Sequence, residues 1–205
     1  MCSNHTKVSL GFNDEMIPVG AHICQIFTDD EERSESLYKF LLSGLQTGER
    51  TTCFSDKVDG RDFRDFLATH DASYDECEEN KSLSLFGTRE VYFQDDVFDP
   101  DRMLDTLSTY HEESLDLGFP AARAIGEMNP IVQNIEGGNR LLEYEAKVSL
   151  LLREHPVTTV CQYDATSFDG ATIMDILRVH PQMVVRGSVV HNPFFIPPEE
   201  FLKNL

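Results

Sequence analysis

The feature that most constrains the fold of this chain is a regular alternation of short apolar runs with longer segments of helical period. Strands are predicted at His22–Phe27, Thr51–Ser55, Ser82–Phe86, Ala121–Glu127, Val157–Tyr163 and Met183–Val189. Helices are predicted at Asp30–Leu45, Gly60–Thr69, Pro100–Leu117, Gly138–Glu154 and Ala171–Val179. This order is typical of a mostly parallel sheet with helices on both faces, so the sequence predicts an α/β fold that forms a three-layer sandwich.

The length and charge of the chain limit its domain organisation, its location and the kinds of partner it can bind. We expect residues 1–18 to be a flexible N-terminal lead-in, and residues 19–205 are long enough to form a single domain with its own core. No run approaches the roughly 18 apolar residues of a spanning helix, and the polar N-terminus has no secretory apolar region, which predicts a cytoplasmic protein. The net charge of −19 disfavours a nucleic-acid surface and attraction to an anionic membrane.

The connection between the first predicted strand and the first predicted helix is strongly acidic. Residues 27–35 carry five carboxylates and one arginine, with neither glycine nor lysine. In many α/β proteins this connection holds phosphates through glycines, backbone amides and a lysine. Because the carboxylates would repel a polyphosphate, the sequence predicts a sheet that lacks a phosphate-binding loop, and favours a binding or regulatory module.

Polar side chains follow several predicted strands at their C-terminal ends, where open α/β sheets bind ligands. Thr28 follows the first strand, Asp56 follows the second, Glu127 ends the fourth, and Tyr163 and Asp164 end the fifth. A ligand site at this edge is one interpretation. The other is that these residues only close loops and cap helices.

The cysteines do not have the spacing of a zinc site or of a disulfide framework. His22 and Cys24 lie two apart on one predicted strand and share a face, while Cys53 and Cys161 belong to other predicted strands. A buried thiol–imidazole metal site would explain this placement. Burial of cysteine as a small hydrophobic residue explains it more simply, so no metal ligand is predicted.

Three histidines stand at or near prolines, and we expect them to close helices and loops because proline stops a helix. Glu143, Tyr144 and Glu145 cannot all face the core, so at least one glutamate is expected at the surface. The sequence has no GxSxG, HExxH or glycine-rich phosphate motif. We therefore expect a protein that is not an enzyme, with no catalytic residue and no cofactor. The three histidine segments are His155-Pro156, His180-Pro181 and His191-Asn192-Pro193.

Short segments between about residue 20 and the end of the chain follow one another in a characteristic order. They are Gly20-Ala21-His22-Ile23-Cys24, Gly48-Glu49-Arg50, Phe98-Asp99-Pro100-Asp101-Arg102-Met103, Gly126-Glu127-Met128, Leu141-Leu142-Glu143-Tyr144-Glu145, Cys161-Gln162-Tyr163-Asp164, His180-Pro181 and Asn192-Pro193-Phe194-Phe195-Ile196-Pro197-Pro198-Glu199-Glu200-Phe201. In their joint order and spacing, these segments resemble the MEDS family, the methanogen/methylotroph sensory domain.

The resemblance implies a sensory domain related to the RecA/KaiC-like ATPase fold, with a small ligand, often a one-carbon or hydrocarbon-type compound. In KaiC-like ATPases the phosphate loop would fall between Phe27 and Ser34, and the catalytic acids near Asp56 and Glu127. Family members are often joined to histidine kinase or DNA-binding modules. Because neither is found in this sequence, we expect the chain to act through a separate signalling or transcription-regulatory protein, or through its own oligomer, a homodimer.

Three hypotheses follow. The first is a non-enzymatic sensory domain with a small-molecule ligand at the C-terminal edge of the sheet, neutral or cationic because of the acidic turn. The second is a degenerate KaiC-like nucleotide-binding ATPase that uses Arg33 or Arg123 in place of the lysine. The third is a metal- or redox-responsive switch built on Cys24, Cys53 and Cys161. For the first, the expected ligand-binding residues are His22, Cys24, Phe27, Thr28, Asp56, Arg123, Glu127, Tyr163 and Asp164, with Phe27 and Phe54 selecting ligand shape.

Overall fold

A seven-stranded sheet forms the centre of the computed structural model, which describes residues 7–205. Its strands are β3 (His22–Phe27), β4 (Arg50–Phe54), β5 (Leu83–Phe86), β6 (Ala122–Glu127), β7 (Val157–Asp164), β8 (Gln182–Val185) and β9 (Ser188–His191). They lie in the order β5-β4-β6-β7-β3-β8-β9, and every neighbouring pair is parallel except β8 with β9. The predicted α/β class with a mostly parallel central sheet is confirmed.

Helices cover both faces of this sheet and create two hydrophobic cores. One face packs against α1 (Asp30–Gln46), α2 (Gly60–Ala68) and α3 (Tyr74–Glu79). The other packs against α4 (Thr88–Tyr92), α5 (Pro100–Asp116), α6 (Leu141–Leu151) and α7 (Gly170–Val179), and α8 (Pro198–Phe201) contacts α6. Between residues 7 and 205, no helix combines the length and the apolar composition that crossing a membrane requires.

The predicted elements are present, with one change of topology at the sheet edge. The apolar run Met183–Val189, predicted as one strand, is a hairpin of β8 and β9. Arg186 and Gly187 at its tip both have positive φ, 50° and 77°, as in the two-residue turns that suit the twist of hairpins. The turn was missed because a single glycine after an arginine is a weak signal inside an apolar run.

The N-terminal segment is more ordered than predicted. Strands β1 (Lys7–Ser9) and β2 (Met16–Pro18) pair in an antiparallel hairpin. Val8, Leu10 and Ile17 from this hairpin are buried in the core on the α1 side of the sheet. The expectation of a flexible lead-in is therefore corrected for residues 7–18, because these apolar side chains are buried. Residues 1–6 of that segment lie outside the described residues.

Arg123 of β6 holds the N-terminal layer to the sheet. Its Nε and Nη2 donate to the two carboxylate oxygens of Glu49 at 2.8 and 2.5 Å, and its Nη1 donates to the carbonyl oxygens of Phe40 (2.9 Å) and Ser9 (3.1 Å). Gly44 makes room for it, since a Cβ at Gly44 would lie 2.6 Å from the Arg123 Nε. Arg123 and Glu49 are fully buried. This position corrects the expectation that Arg123 lines a ligand site at the C-terminal edge, because the second residue of β6 is far from that end of the strand.

Breaking the buried pair is expected to destabilise the fold strongly. Arg123→Met and Glu49→Gln should each lower the free energy of unfolding by about 3–5 kcal/mol, because each leaves one buried charge without its partner. The double replacement Arg123→Met/Glu49→Met should recover part of that loss. Urea unfolding followed by circular dichroism measures all three variants. The exposed pair of Arg64 with Asp75 is the control, and single variants as stable as Arg64→Met would contradict the expectation.

Candidate functional site

Ion pairs close the C-terminal edge of the sheet near the acidic turn. Glu127 at the end of β6 lies 2.7 Å from the Lys57 Nζ, and its other oxygen lies 3.8 Å from the Nη1 of Arg33. Arg33 also donates through Nε to Asp30 at 2.8 Å. Phe27 is buried below these cations, with its ring centroid 5.3 Å from the Lys57 Nζ. The negative charge of the turn is therefore only partly offset, because the arginine within it and a lysine that follows β4 both contact Asp30.

The remaining predicted residues at this edge fold the loops. Asp56 accepts a hydrogen bond from the backbone nitrogen of Thr88 at 2.8 Å, at the start of α4. Asp164 accepts from the backbone nitrogen of Thr166 at 2.9 Å in the turn after β7. Thr28 is exposed. The structure thus brings Phe27 and Glu127 to the same cations, while Asp56 joins the loops that follow β5 and β6 through Thr88 and Asn129, and Asp164 binds its own turn.

A buried cluster of titratable side chains lies on the face of the sheet that packs against α6, between that helix and the strands β3 and β7. It consists of His22 on β3, Glu145 on α6, Cys161 on β7 and His180 just after α7. The Glu145 Oε2 lies 3.2 Å from the His22 Nε2 and 3.4 Å from the His180 Nε2. The Cys161 Sγ lies 3.6 Å from the His22 Nε2 and 3.7 Å from the Glu145 Oε2. These four residues are called the buried cluster below.

Three residues of the predicted ligand site, His22, Cys24 and Tyr163, lie on the face of the sheet that carries the buried cluster, and of these only Tyr163 is near the C-terminal end of its strand. His22 begins β3, so it stands at the N-terminal side of the sheet, which corrects its expected position. The Tyr163 hydroxyl donates to the Glu145 Oε1 at 2.5 Å. Cys24 shares the face of His22, and burial, with the charge of Glu145, raises the pKa of its thiol to about 12.

The fold assembles the buried cluster from local rules. In the parallel pairing of β3 and β7, His22 is opposite Thr159, so Cys161 is two residues further along on the same face. Glu145 lies on the buried face of α6, because it is spaced three and four residues from other buried positions of that helix. His180 adopts extended geometry at the end of α7, where Pro181 prevents the helix from continuing.

A second set of hydrogen bonds orients both imidazoles. The His180 Nδ1 lies 2.8 Å from the carbonyl oxygen of Ile176, which can only accept, so this nitrogen carries a proton. The His22 Nδ1 lies 2.8 Å from the Ser149 Oγ, and that hydroxyl donates to the carbonyl oxygen of Val179 at 3.4 Å. Ser149 therefore accepts from His22. Both Nε2 atoms face the centre of the buried cluster.

Asn192, in the C-terminal segment, holds the end of α7 and the backbone of His180 in place. The Asn192 Nδ2 donates to the carbonyl oxygens of Leu177 at 2.5 Å and His180 at 2.8 Å. Asn192 is fully buried. Nearby, the backbone nitrogen of Ile196 donates to the carbonyl oxygen of Arg178 at 2.9 Å. The end of α7 is thereby held by side-chain and backbone bonds from the chain that follows β9.

The buried cluster needs positive charge beside Glu145. Burial raises the pKa of Glu145, but hydrogen bonds from His180 and His22, together with the charge of these imidazoles, outweigh it, so the pKa of the carboxyl lies below its usual range. For His22 itself, burial together with His180 lowers the pKa to about 4, against the influence of Glu145. Burial also raises the pKa of Cys161 well above the ordinary thiol range. A carboxylate is thus enclosed with a histidine, His22, in which burial disfavours the protonated, positively charged form.

Two cavities adjoin this region. The inner one has a volume of about 10 Å³, roughly the space for one water molecule, with Glu145, Cys161 and Tyr163 on one wall. The outer one is a cleft of about 650 Å³ between α5 and the face of β4 and β5. Phe54 and Leu107 line both cavities, so these two side chains separate the cleft from the inner cavity.

Sequence reasoning assigned no functional role to Glu145 or His180. It considered Cys161 in a thiol–imidazole metal site with His22, which it set aside in favour of simple burial, and in the three-cysteine hypothesis. A signal for Glu145 was present, since Leu141 and Val148 lie four and three residues away on the same helical face. Of the two glutamates, Glu143 is the partly exposed one, paired with Arg140. His180 has no comparable signal, because its approach to β3 is set by the tertiary fold.

The three cysteines of the switch hypothesis do not lie together. Cys24 and Cys161 are opposite one another in the pairing of β3 and β7 and belong to the α6 side of the sheet. Cys53 belongs to the core on the α1 side, and burial raises the pKa of its thiol to about 12. A centre built on all three thiols is therefore wrong, because Cys53 is in register, through Ile125 of β6, with Val160, whose side chain points to the face opposite that of Cys161.

The hydrogen bond of Tyr163 is expected to stabilise the buried carboxylate. Tyr163→Phe should lower the free energy of unfolding by about 1.5–3 kcal/mol, as is typical for a lost hydrogen bond to a charged group. Tyr110→Phe is the matched control, because the buried Tyr110 hydroxyl has no hydrogen-bond partner among residues 7–205. Urea unfolding of both variants in one buffer measures the difference. Equal losses in the two variants would contradict the role given to Tyr163.

The comparisons with known proteins agree with this architecture. No curated protein sequence matches the chain. Among solved structures, the chain is similar to the flagellar accessory protein FlaH from Methanocaldococcus jannaschii, with a TM-score of 0.65 and 12% identity over 90% of this chain and 84% of that one. It is also similar to a KaiC-like protein from the hyperthermophilic Pyrococcus horikoshii, with a TM-score of 0.58 and 16% identity over 86% and 78% of the two chains.

At these identities the structural likeness shows the fold, which is RecA/KaiC-like, and nothing about activity. The family is shown by a separate match. The family model described as the MEthanogen/methylotroph, DcmR Sensory domain matches residues 21–181, which include all four residues of the buried cluster. The chain belongs to the MEDS family of sensory domains.

Proposed function

We propose that this chain is a non-enzymatic sensory domain that binds a small molecule in the inner cavity beside the buried cluster. Family membership supports the sensory role. The observation that carries the ligand site is the composition of the inner cavity, where Glu145, Cys161 and Tyr163 converge on a space otherwise lined mainly by apolar and aromatic side chains. In its lining, although not in its size, this cavity resembles a small-molecule site, where a few polar groups converge among apolar side chains.

The outer cleft supplies the entrance. Phe54 and Leu107 stand between the cleft and the inner cavity, so a rotation of the Phe54 ring opens one to the other. The inner cavity itself has room for about one water molecule, so even a compound of two heavy atoms needs the same movement of Phe54 to enlarge it. Because the polar wall contains a carboxylate, the ligand is a neutral or cationic molecule and not an anion.

The sensory role is favoured over the nucleotide-binding alternative by charge. Arg33 and Lys57, the cations near the acidic turn, are already paired with Asp30 and Glu127. A triphosphate there would have to displace these carboxylates and would face the other acidic residues of the turn. The signal then passes to a separate regulatory protein or to a second copy of the chain, and the net charge of −19 disfavours nucleic acid or membrane as the direct partner.

Thermal-shift measurements test this function with methanol, methylamine and formate, which are neutral, cationic and anionic one-carbon compounds, and with ATP plus magnesium. Methanol or methylamine is expected to raise the melting temperature, and formate and ATP are not. Native mass spectrometry of the gently purified chain checks for a retained small molecule.

Variants locate the effect. Phe54→Ala should change the concentration of methanol or methylamine needed for half of the stabilisation, because it removes the ring between the cleft and the inner cavity. Phe63→Ala is the control, since Phe63 is fully buried in the core on the opposite face of the sheet. Stabilisation by ATP with magnesium, or measurable hydrolysis, together with no response to the one-carbon compounds would overturn the proposal.

A further inference from the structure

The donor atoms of the buried cluster have the spacing of a tetrahedral metal site. Zinc bonds of about 2.0–2.3 Å to nitrogen, oxygen and sulfur place the ligand atoms of such a site roughly 3.3–3.7 Å from one another. In the buried cluster, four of the six separations between donor atoms are 3.2, 3.4, 3.6 and 3.7 Å. All four atoms lie within 4.8 Å of each other. The side chains therefore enclose one point that a metal ion fits.

The orientation of the two imidazoles also supports a metal ion at this point. Ile176 and Ser149 accept the Nδ1 protons of His180 and His22, which leaves the lone pair of each Nε2 directed at the Glu145 carboxylate. The His180 Nε2 is buried and has no hydrogen-bond partner among the described residues. Lone pairs that face a carboxylate repel it unless a proton or a cation lies between them. Hydrogen bonding of the distal ring nitrogen is also the usual arrangement of metal-binding histidines.

The charge of Glu145 has no other compensation. Within residues 7–205 its ion-pair partners are His22 and His180 alone, with no lysine or arginine. A buried carboxylate without a cation is very costly, and buried charges in proteins are paired or bind metals. Glu49 on the opposite face illustrates the usual solution, because Arg123 neutralises it completely.

We propose that His22, Glu145, Cys161 and His180 bind one divalent transition-metal ion, with zinc as the metal that best suits the geometry. The ligands are the two Nε2 atoms, the Glu145 Oε2 and the Cys161 Sγ. Two nitrogens, one oxygen and one sulfur in a tetrahedral arrangement suit Zn²⁺. Cys161 binds as a thiolate, so its proton leaves to solvent when the metal enters.

The metal site does not depend on the proposed sensing role. If both are present, the metal would take part in recognising the small molecule. Tyr163 holds the Oε1 of Glu145, and the inner cavity opens beside Glu145 and Cys161. If the cavity binds a small molecule, that molecule reaches the metal at the side of the carboxylate and the thiolate. A polar one-carbon compound would then be recognised by a metal–ligand bond as a fifth ligand, in addition to shape.

Metal titration of the untagged chain tests the proposal with zinc or cobalt alone. After dialysis against a chelator, one equivalent of Zn²⁺ per chain should bind and raise the melting temperature. Co²⁺ should bind with the same stoichiometry and show the visible bands of a tetrahedral site, together with a near-ultraviolet charge-transfer band from the Cys161 thiolate. These readouts require no small molecule, so the sensing proposal can fail while the metal site stands, and the reverse.

Matched variants assign the ligands. Cys161→Ser should abolish the thiolate-to-cobalt band, whereas Cys53→Ser, the same change in a buried strand on the opposite face, should retain it. Ser149→Ala leaves the four ligands in place but removes the acceptor of the His22 Nδ1 proton, and should weaken zinc binding by about 10–100-fold. This variant keeps the test valid if Cys161→Ser does not fold.

Three results would overturn the assignment. They are the absence of stoichiometric Zn²⁺ binding by the folded wild-type chain, a cobalt spectrum of six-coordinate type without a thiolate band, and a thiolate band that survives in Cys161→Ser. Zinc affinity unchanged in Ser149→Ala would equally show that His22 is not held as a ligand.

Discussion

The buried carboxylate of Glu145 is the constraint around which one half of this domain is arranged. Every layer on that side contributes to it: β3 through His22, β7 through Cys161 and Tyr163, and the end of α7 through His180. A carboxylate in such a place is tolerated only where hydrogen bonds and positive charge are supplied together. These hydrogen bonds and charges reach Glu145 only because of three features together: the register of β3 with β7, the rotation of α6, and the end of α7 at His180.

The two faces of the sheet solve the problem of buried charge differently. On the α1 side, Glu49 and Arg123 form a bidentate pair that is finished by two backbone carbonyl groups, and the pair serves architecture. On the α6 side, Glu145 faces imidazoles and a thiol, which are exchangeable partners. Guanidinium keeps its proton at any pH that a cell experiences, whereas imidazole and thiol can give up a proton to a metal. The chemistry of the domain is therefore concentrated on one face, and its rigidity on the other.

The sequence predicted the sheet, its main helices and the family, because apolar period and motif order are local properties. It predicted the site less well. His22, Cys24 and Tyr163 were chosen for an edge of the sheet, yet His22 and Tyr163 meet at Glu145 in the interior. That meeting depends on which strands are neighbours, and the order β6-β7-β3 is a tertiary fact. Asp56 and Asp164 look like ligand residues in the sequence because the acceptors that cap loops and those that bind ligands are the same residue types.

The hydrogen bonds of Asn192 have a mechanical consequence. One amide nitrogen contacts the carbonyl groups of both Leu177 and His180, and Asn192 directly follows β9, the outermost strand of the sheet. The C-terminal end of α7 and the outermost strand are thus connected through a single side chain, that of Asn192. The outer edge of β9 pairs with no other strand among residues 7–205. Because an unpaired strand edge is a template for pairing with another chain, Asn192 connects the backbone of His180 to a surface that a second chain can contact.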